Sequence, residues 1–209
     1  PCDNERKQVM SEQQVVAEPI QSEQQVVATS IQIVLNADEI PSNEGLDSQY
    51  SIVSTDGKNA GQVLLWTSAD HIQNFSAGTS RSYDIVQPVT DLVLGASGKS
   101  FEATKAICVF NFGYTTEEAR DQEFNSDMSP YAGPFGSLPG IICKVVVRND
   151  ETNTYGGFYF WDSETAMHDY VDGKDESLLH FGEDKINVKE MLSTREDLIN
   201  QSFETYLVK

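Results

Sequence analysis

Basic residues are scarce in this chain. Its 33 aspartates and glutamates face 14 lysines and arginines, for a formal net charge of -19. Affinity for nucleic acid depends largely on neutralised phosphates, so such a surface is expected to repel DNA and RNA, and anionic membranes for the same reason. No run of about 18 apolar residues exists, so no helical membrane span is expected. With three cysteines, an internal disulfide framework is not the obvious reading; Cys108 and Cys143 sit in apolar runs and read as small buried hydrophobes. No CxxC or Cys/His spacing suggests zinc, and no phosphate loop, nucleophile elbow or HExxH is present. Neither a metal nor a cofactor is expected from these motifs.

The start, Pro1-Cys2-Asp3, has the form of a bacterial lipoprotein whose signal peptide has been removed, with Cys2 as the lipid acceptor. On that reading the protein is exported, to the periplasm or the outer cell surface, and tethered by lipid; the plainer alternative is an incidental cysteine. Residues 1–30 form an arm that carries the tandem duplication SEQQVVA at Ser11–Ala17 and Ser22–Ala28.

What the chain does have is a strand-helix stretch that occurs twice. Gly156 to Gly173, GGFYFWDSETAMHDYVDG, has a cousin in Gly61 to Gly78, GQVLLWTSADHIQNFSAG, at a constant offset of 95. The offset superposes Gly45 on Gly140, Trp66 on Trp161, Ser68 on Ser163, Phe75 on Tyr170 and Gly78 on Gly173. Around the first copy the pattern predicts strands over 31–36, 46–54, 62–66 and 84–94 and a helix over 68–77. Around the second it predicts strands over 106–112, 141–148, 157–161 and 185–192, helices over 115–125 and 163–171, and a long loop over 126–140. A short helix over 194–200 and an edge strand over 203–208 complete the chain. The organisation is an arm (1–30), a degenerate unit (31–94), a Gly/Ser linker (95–104) and a fuller unit (105–209). Each unit reads as βαββαβ, which is α+β of the ferredoxin-like kind. The first strands match at an offset of 75, Asn36 on Asn111.

The segment Pro139 to Tyr170, with its Pro-Gly start, lysine-bearing strand, polar hairpin, Gly-Gly, aromatic strand and helix ending in an aromatic residue, resembles the YdhR-like monooxygenases of the dimeric α+β-barrel superfamily. The resemblance is good over residues 105–192 and weak over 31–94. It implies two ferredoxin-like units joined sheet to sheet as a barrel, a pseudo-dimer in one chain or a homodimer of chains. Burying each unit's open sheet face against the other removes apolar surface from water. In that strand order Cys108 and Cys143 lie two strands apart, beyond bonding distance.

The resemblance also implies a small-molecule ligand, apolar or aromatic, bound in the second unit. From the haem-degrading branch it carries over Asn111, Tyr170 and His180 as catalytic candidates, with His180 able to ligate haem iron as a less favoured alternative. Tyr159, Trp161, His168 and Lys144 are the candidates for ligand binding. Tyr159 and Trp161 share one strand face, and Lys144 alternates with Ile142 and Val146 on its own strand. The competing reading is a non-catalytic binding or interaction protein on the same fold, with these aromatics serving as core.

Overall fold

The computed structural model describes residues 26–37, 42–75 and 77–209. Cys2 and the expected arm up to residue 25 lie outside these; of its remainder, Val26 and Ala28 are buried in the apolar cluster of the barrel interior. Among the described residues, ten strands occur in chain order: β1 (Ser30–Leu35), β2 (Leu46–Ser54), β3 (Ala60–Trp66), β4 (Thr79–Ile85), β5 (Ala106–Tyr114), β6 (Ile141–Asn149), β7 (Thr154–Trp161), β8 (Leu179–Phe181), β9 (Asp184–Ile186) and β10 (Leu198–Val208). Five helices accompany them: α1 (Gln87–Ser97), α2 (Glu117–Phe124), α3 (Ser129–Gly136), α4 (Glu164–Val171) and α5 (Val188–Ser193).

Eight strands close into one barrel in the order β1-β3-β2-β10-β5-β7-β6-β4. Cut at its two seams, this ring gives β4-β1-β3-β2 and β10-β5-β7-β6, the same ferredoxin-like order twice. The seams pair the last strand of each unit with the second strand of the other, through β2–β10 and β4–β6. The chain is therefore α+β, two ferredoxin-like units forming a dimeric-α+β-barrel within one polypeptide.

The repeat is visible in matched details. Gly45 and Gly140 both take positive φ (71° and 80°), as do Gly78 and Gly173 (80° and 68°). In both units the residue after the tryptophan donates its amide to the first of these glycines, Thr67 to Gly45 and Asp162 to Gly140, each at 2.9 Å. Ser68 and Ser163 both cap the next helical turn through their hydroxyls. Each tryptophan donates its indole N–H to the first strand: Trp66 to Gln32 at 3.2 Å and Trp161 to Cys108 at 3.4 Å. This register corrects the expected match of first strands. Leu35 pairs with Gly61 and Asn111 with Gly156, so Leu35, not Asn36, occupies the place of Asn111.

Three apolar clusters result. Ile31, Ile33, Val63, Val109, Phe158 and their neighbours fill the barrel interior. Phe110, Tyr159, Trp161 and Tyr170 belong to a large cluster beneath the helices of the second unit. The first unit's equivalent is small, built on Val34, Leu64 and Trp66. It has no matching helices above it among the described residues: the helix expected over 68–77 is one 3-10 turn, Ala69–His71. The reason lies in Gln32, which accepts Trp66 N–H and whose Nε2 donates to the Gln73 carbonyl at 2.6 Å. A buried side chain that satisfies the backbone in extended form competes with the helical hydrogen bonds. At the same place in the second unit stands Cys108, which offers no such alternative.

Other expectations are also corrected. The strand predicted over 84–94 ends at Ile85 and continues as α1, with proline in its first turn and Gly98 (φ 64°) as its left-handed stop. α1 serves the second unit. The β4–β6 seam pairs only Asp84 with Arg148 and Ile85 with Val147, and α1 covers the rest of the β6 edge: Val146 N–H donates to Thr90 Oγ1 at 3.1 Å and Ser97 Oγ to the Ile142 carbonyl at 2.5 Å. The predicted loop over 126–140 contains α3, whose Gly136 meets α1 at Ala96 so closely that a Cβ there would stand 2.3 Å from the alanine methyl. The helix expected over 115–125 runs over Glu117–Phe124, with Thr116 as its cap. The strand predicted over 185–192 is replaced by the β8–β9 hairpin and α5, with Asn187 as the cap. The fourth barrel strand is β10, which also replaces the predicted helix over 194–200 and is flanked by β2 and β5 rather than lying at an edge.

Arg81 on β4 reaches Glu204 on β10 with two hydrogen bonds of 2.7 Å, and the Tyr206 hydroxyl donates to the same carboxylate. The pair ties the two units together within the barrel. Burial opposes the charged carboxylate, but the bonds from Arg81 and Tyr206 outweigh it and hold Glu204 below the usual range. Glu204→Gln should leave the guanidinium without its anion and cost about 1–3 kcal/mol, read as a lower urea midpoint with an unchanged slope. An unchanged midpoint would show that the pair is not holding the units together.

Candidate active site

A cavity of about 550 Å³ lies between the sheet and the helices of the second unit. That volume suits a drug-sized ligand. Its floor is one face of β5, β6 and β7: Phe110, Phe112, Lys144, Tyr155, Gly157 and Tyr159. The two-residue period of strands puts these side chains together and sends Val109 and Phe158 to the barrel interior. Its walls come from α2, α3, the β8–β9 hairpin and α5, through residues such as Glu123, Tyr131, Phe135, Phe181 and Leu192. Tyr131 and Phe181 meet edge to face at 5.2 Å across the wall. Within the stretch expected as a loop, α3 forms part of the cavity wall through Tyr131 and Phe135.

Lys144 is the singular group. Its Nζ stands 3.8 Å from the centroid of the Phe135 ring and 5.3 Å from that of Tyr159. Among the described residues it makes neither an ion pair nor a hydrogen bond. The residue is half-buried, and its amine opens to the cavity. That burial pushes the amine down to about 7, against the weaker pull of the Glu123 carboxylate. Gly157 makes room for it: a Cβ there would stand 3.0 Å from the Tyr159 ring and 3.3 Å from Lys144 Cε.

Charges at the edge of the cavity are paired. Arg195 bonds Glu123 of α2 at 2.9 Å and chelates Asp197 through two nitrogens at 3.1 and 2.5 Å. Asp127 is a further acid in the wall. Leaving Lys144 aside, the lining holds three acids against one base and is net negative.

Of the residues singled out from sequence, Lys144 and Tyr159 line the cavity. Tyr170 lies behind its floor, stacked on Phe110 with centroids 5.8 Å apart and 5.0 Å from Trp161. Trp161 is fully buried core. Burial pushes the hydroxyls of Tyr159 and Tyr170 well above the ordinary phenol value. Asn111 does not face the cavity. It alternates with Phe110 and Phe112, which point to the helices, and so turns into the barrel opposite Gly156, where neither amide atom finds a partner among the described residues. His180 is exposed on β8, whose inward residues are Leu179 and Phe181. His168 stands on the outside of α4, 3.6 Å from Glu164. No histidine among the described residues lines the cavity, and the donor set does not fit haem in the form expected, which needs His180 as the axial ligand. Phe110, Phe112, Tyr155, Phe135 and Arg195 join the site without having been singled out from sequence. The first three carry a signal, the every-second-residue aromatics of β5 and β7.

Residues 107–198 match the family model described as "Putative mono-oxygenase ydhR". No curated protein sequence matches the chain. Among solved structures, an anthrone oxidase-like protein is similar over 87% of this chain and 92% of its own, with 12% identity and a TM-score of 0.53. LmHde, a heme-degrading enzyme from Listeria monocytogenes, is similar over 86% of this chain and 99% of its own, with 12% identity and a TM-score of 0.52. At such identities these two share the fold with this chain.

Proposed function

We propose that the cavity of the second unit binds a small aromatic molecule and that the protein oxidises it in a monooxygenase-like reaction, with Lys144 as the base. The observation that carries this reading is the Lys144 amine, which lies against Phe135 in an aromatic cavity without an ion pair or hydrogen bond among the described residues; burial pushes it down to about 7. The match of residues 107–198 to a mono-oxygenase family supports it. A phenol or activated carbon acid that gives its proton to Lys144 becomes an anion able to pass electrons to dioxygen, and apolar walls protect that anion from water. Phe135 and Tyr159 would hold the ring against the amine, and the Glu123–Arg195–Asp197 ion pairs fix the wall.

The second reading is an exported carrier that binds the same class of molecule without turning it over. What favours it is that neither His168 nor His180 reaches the cavity. One experiment separates the two: titration of an anthrone or quinol probe by fluorescence, with dioxygen uptake followed in parallel. Saturable binding with uptake that rises through pH 7, and falls about 100-fold in Lys144→Met, is the expected result for a base of this kind. Binding without uptake would identify a carrier, and no saturable binding would overturn both readings.

A further inference from the structure

We infer that the same cavity is a covalent site for carbonyl compounds, in which the Lys144 amine captures a neutral aromatic aldehyde or ketone as an imine. The inference rests on the cavity being a ligand site, as proposed above, but adds a chemistry that oxidation does not require. Three features of the geometry support it. The Lys144 Nζ lines the cavity, lies against the faces of Phe135 and Tyr159, and makes no ion pair with a carboxylate of the described residues that would hold its proton. The cavity of about 550 Å³ that Lys144 lines leaves room on the open side of the amine, where a tetrahedral carbon could form. The aromatic walls and the net-negative lining favour a neutral ring-bearing carbonyl over an oxo acid, since Glu123, Asp127 and Asp197 outnumber Arg195.

The reaction balances without an oxidant or a cofactor. The nitrogen lone pair attacks the carbonyl carbon and a proton passes from nitrogen to oxygen, giving a carbinolamine. The carbon–oxygen bond then breaks, and the oxygen leaves as water with a second proton from nitrogen, giving the neutral imine. With its amine near 7, Lys144 is about half unprotonated at neutral pH, whereas an exposed lysine is so in fewer than about one molecule in a thousand.

The test treats the full chain with 4-methoxybenzaldehyde and cyanoborohydride, which reduces an imine to a stable secondary amine, followed by intact mass and peptide mapping. Labelling should concentrate on Lys144 about tenfold or more over any other lysine, level off above pH 7, and vanish in Lys144→Arg and Lys144→Met. Melting curves on both variants report whether they fold. 4-Methoxybenzyl alcohol, which has the same ring but no carbonyl, is titrated alongside. If the alcohol saturates the protein while the aldehyde labels lysines indiscriminately, the imine site is wrong and the cavity reading stands. If the alcohol does not bind and Lys144 is not labelled, both fall.

Discussion

At pH 6, Lys144→Met is expected to be more stable than the wild type by about 2–4 kcal/mol, a rise in melting temperature of about 5–10 °C for a chain of this size. The argument is one of proton linkage. In the unfolded chain the lysine has an ordinary value near 10.5; in the folded protein burial lowers it to about 7. Between these values the unfolded state binds more protons than the native one, so wild-type stability rises with pH from about 7 to above 10. Below pH 7 the native protein carries a charged amine against Phe135 and Tyr159 and bears the cost of its partial desolvation. Methionine keeps the apolar stem and removes the charge. The advantage of the variant should therefore be largest at pH 6 and shrink steadily towards pH 10. Urea melts at a series of pH values would show it. A difference that stayed flat with pH would mean that the amine is solvated and that Lys144 is no candidate for base or nucleophile.

The Lys144 result also bears on what can be read from sequence. The alternation of Lys144 with Ile142 and Val146 is plain, but the side of the sheet it faces is not, because a strand looks the same from either side until its neighbours are placed. Parity decides everything in such a site. Asn111 reads as a ligand in the sequence while its neighbours Phe110 and Phe112 do not; one step along β5 separates the barrel interior from the cavity. The offset of 75 for the first strands makes the same one-residue error, since the register gives Leu35 the place of Asn111. His180 fails for the same reason, as Leu179 and Phe181 take the inward positions. The fold is legible because turns and caps carry local chemistry: Gly45, Gly140, Gly78 and Gly173 mark left-handed backbone, and Ser68 and Ser163 mark helix starts. The apolar run of α1 suits a strand as well as a helix, and only the proline in its first turn and Gly98 distinguish them. β10 is half hidden because Asn200, at φ 53°, breaks its alternation with a bulge.

The paired glycines at 156 and 157 separate fold from site most cleanly. A Cβ on Gly156 would stand 1.9 Å from the Phe110 carbonyl oxygen, and the equivalent Gly61 would meet the Val34 carbonyl at the same 1.9 Å. Both obstacles are backbone of the adjacent first strand, so β5 and β7, or β1 and β3, would have to part. Gly157 meets only side chains, the Tyr159 ring and the flexible stem of Lys144. Gly156→Ala is therefore expected to cost about 4 kcal/mol or more, enough to deplete the folded state of a typical domain. Gly157→Ala should cost about 1–2 kcal/mol, the ordinary cost of crowding, and weaken ligand binding by shifting Lys144. Soluble yield and urea midpoints of the two variants test the first contrast, and titration of an aromatic probe into Gly157→Ala tests the second. If alanine at 156 were tolerated as well as at 157, the close approach of β5 and β7 would not be what the glycine serves, and the matched glycine at 61 would lose its explanation with it.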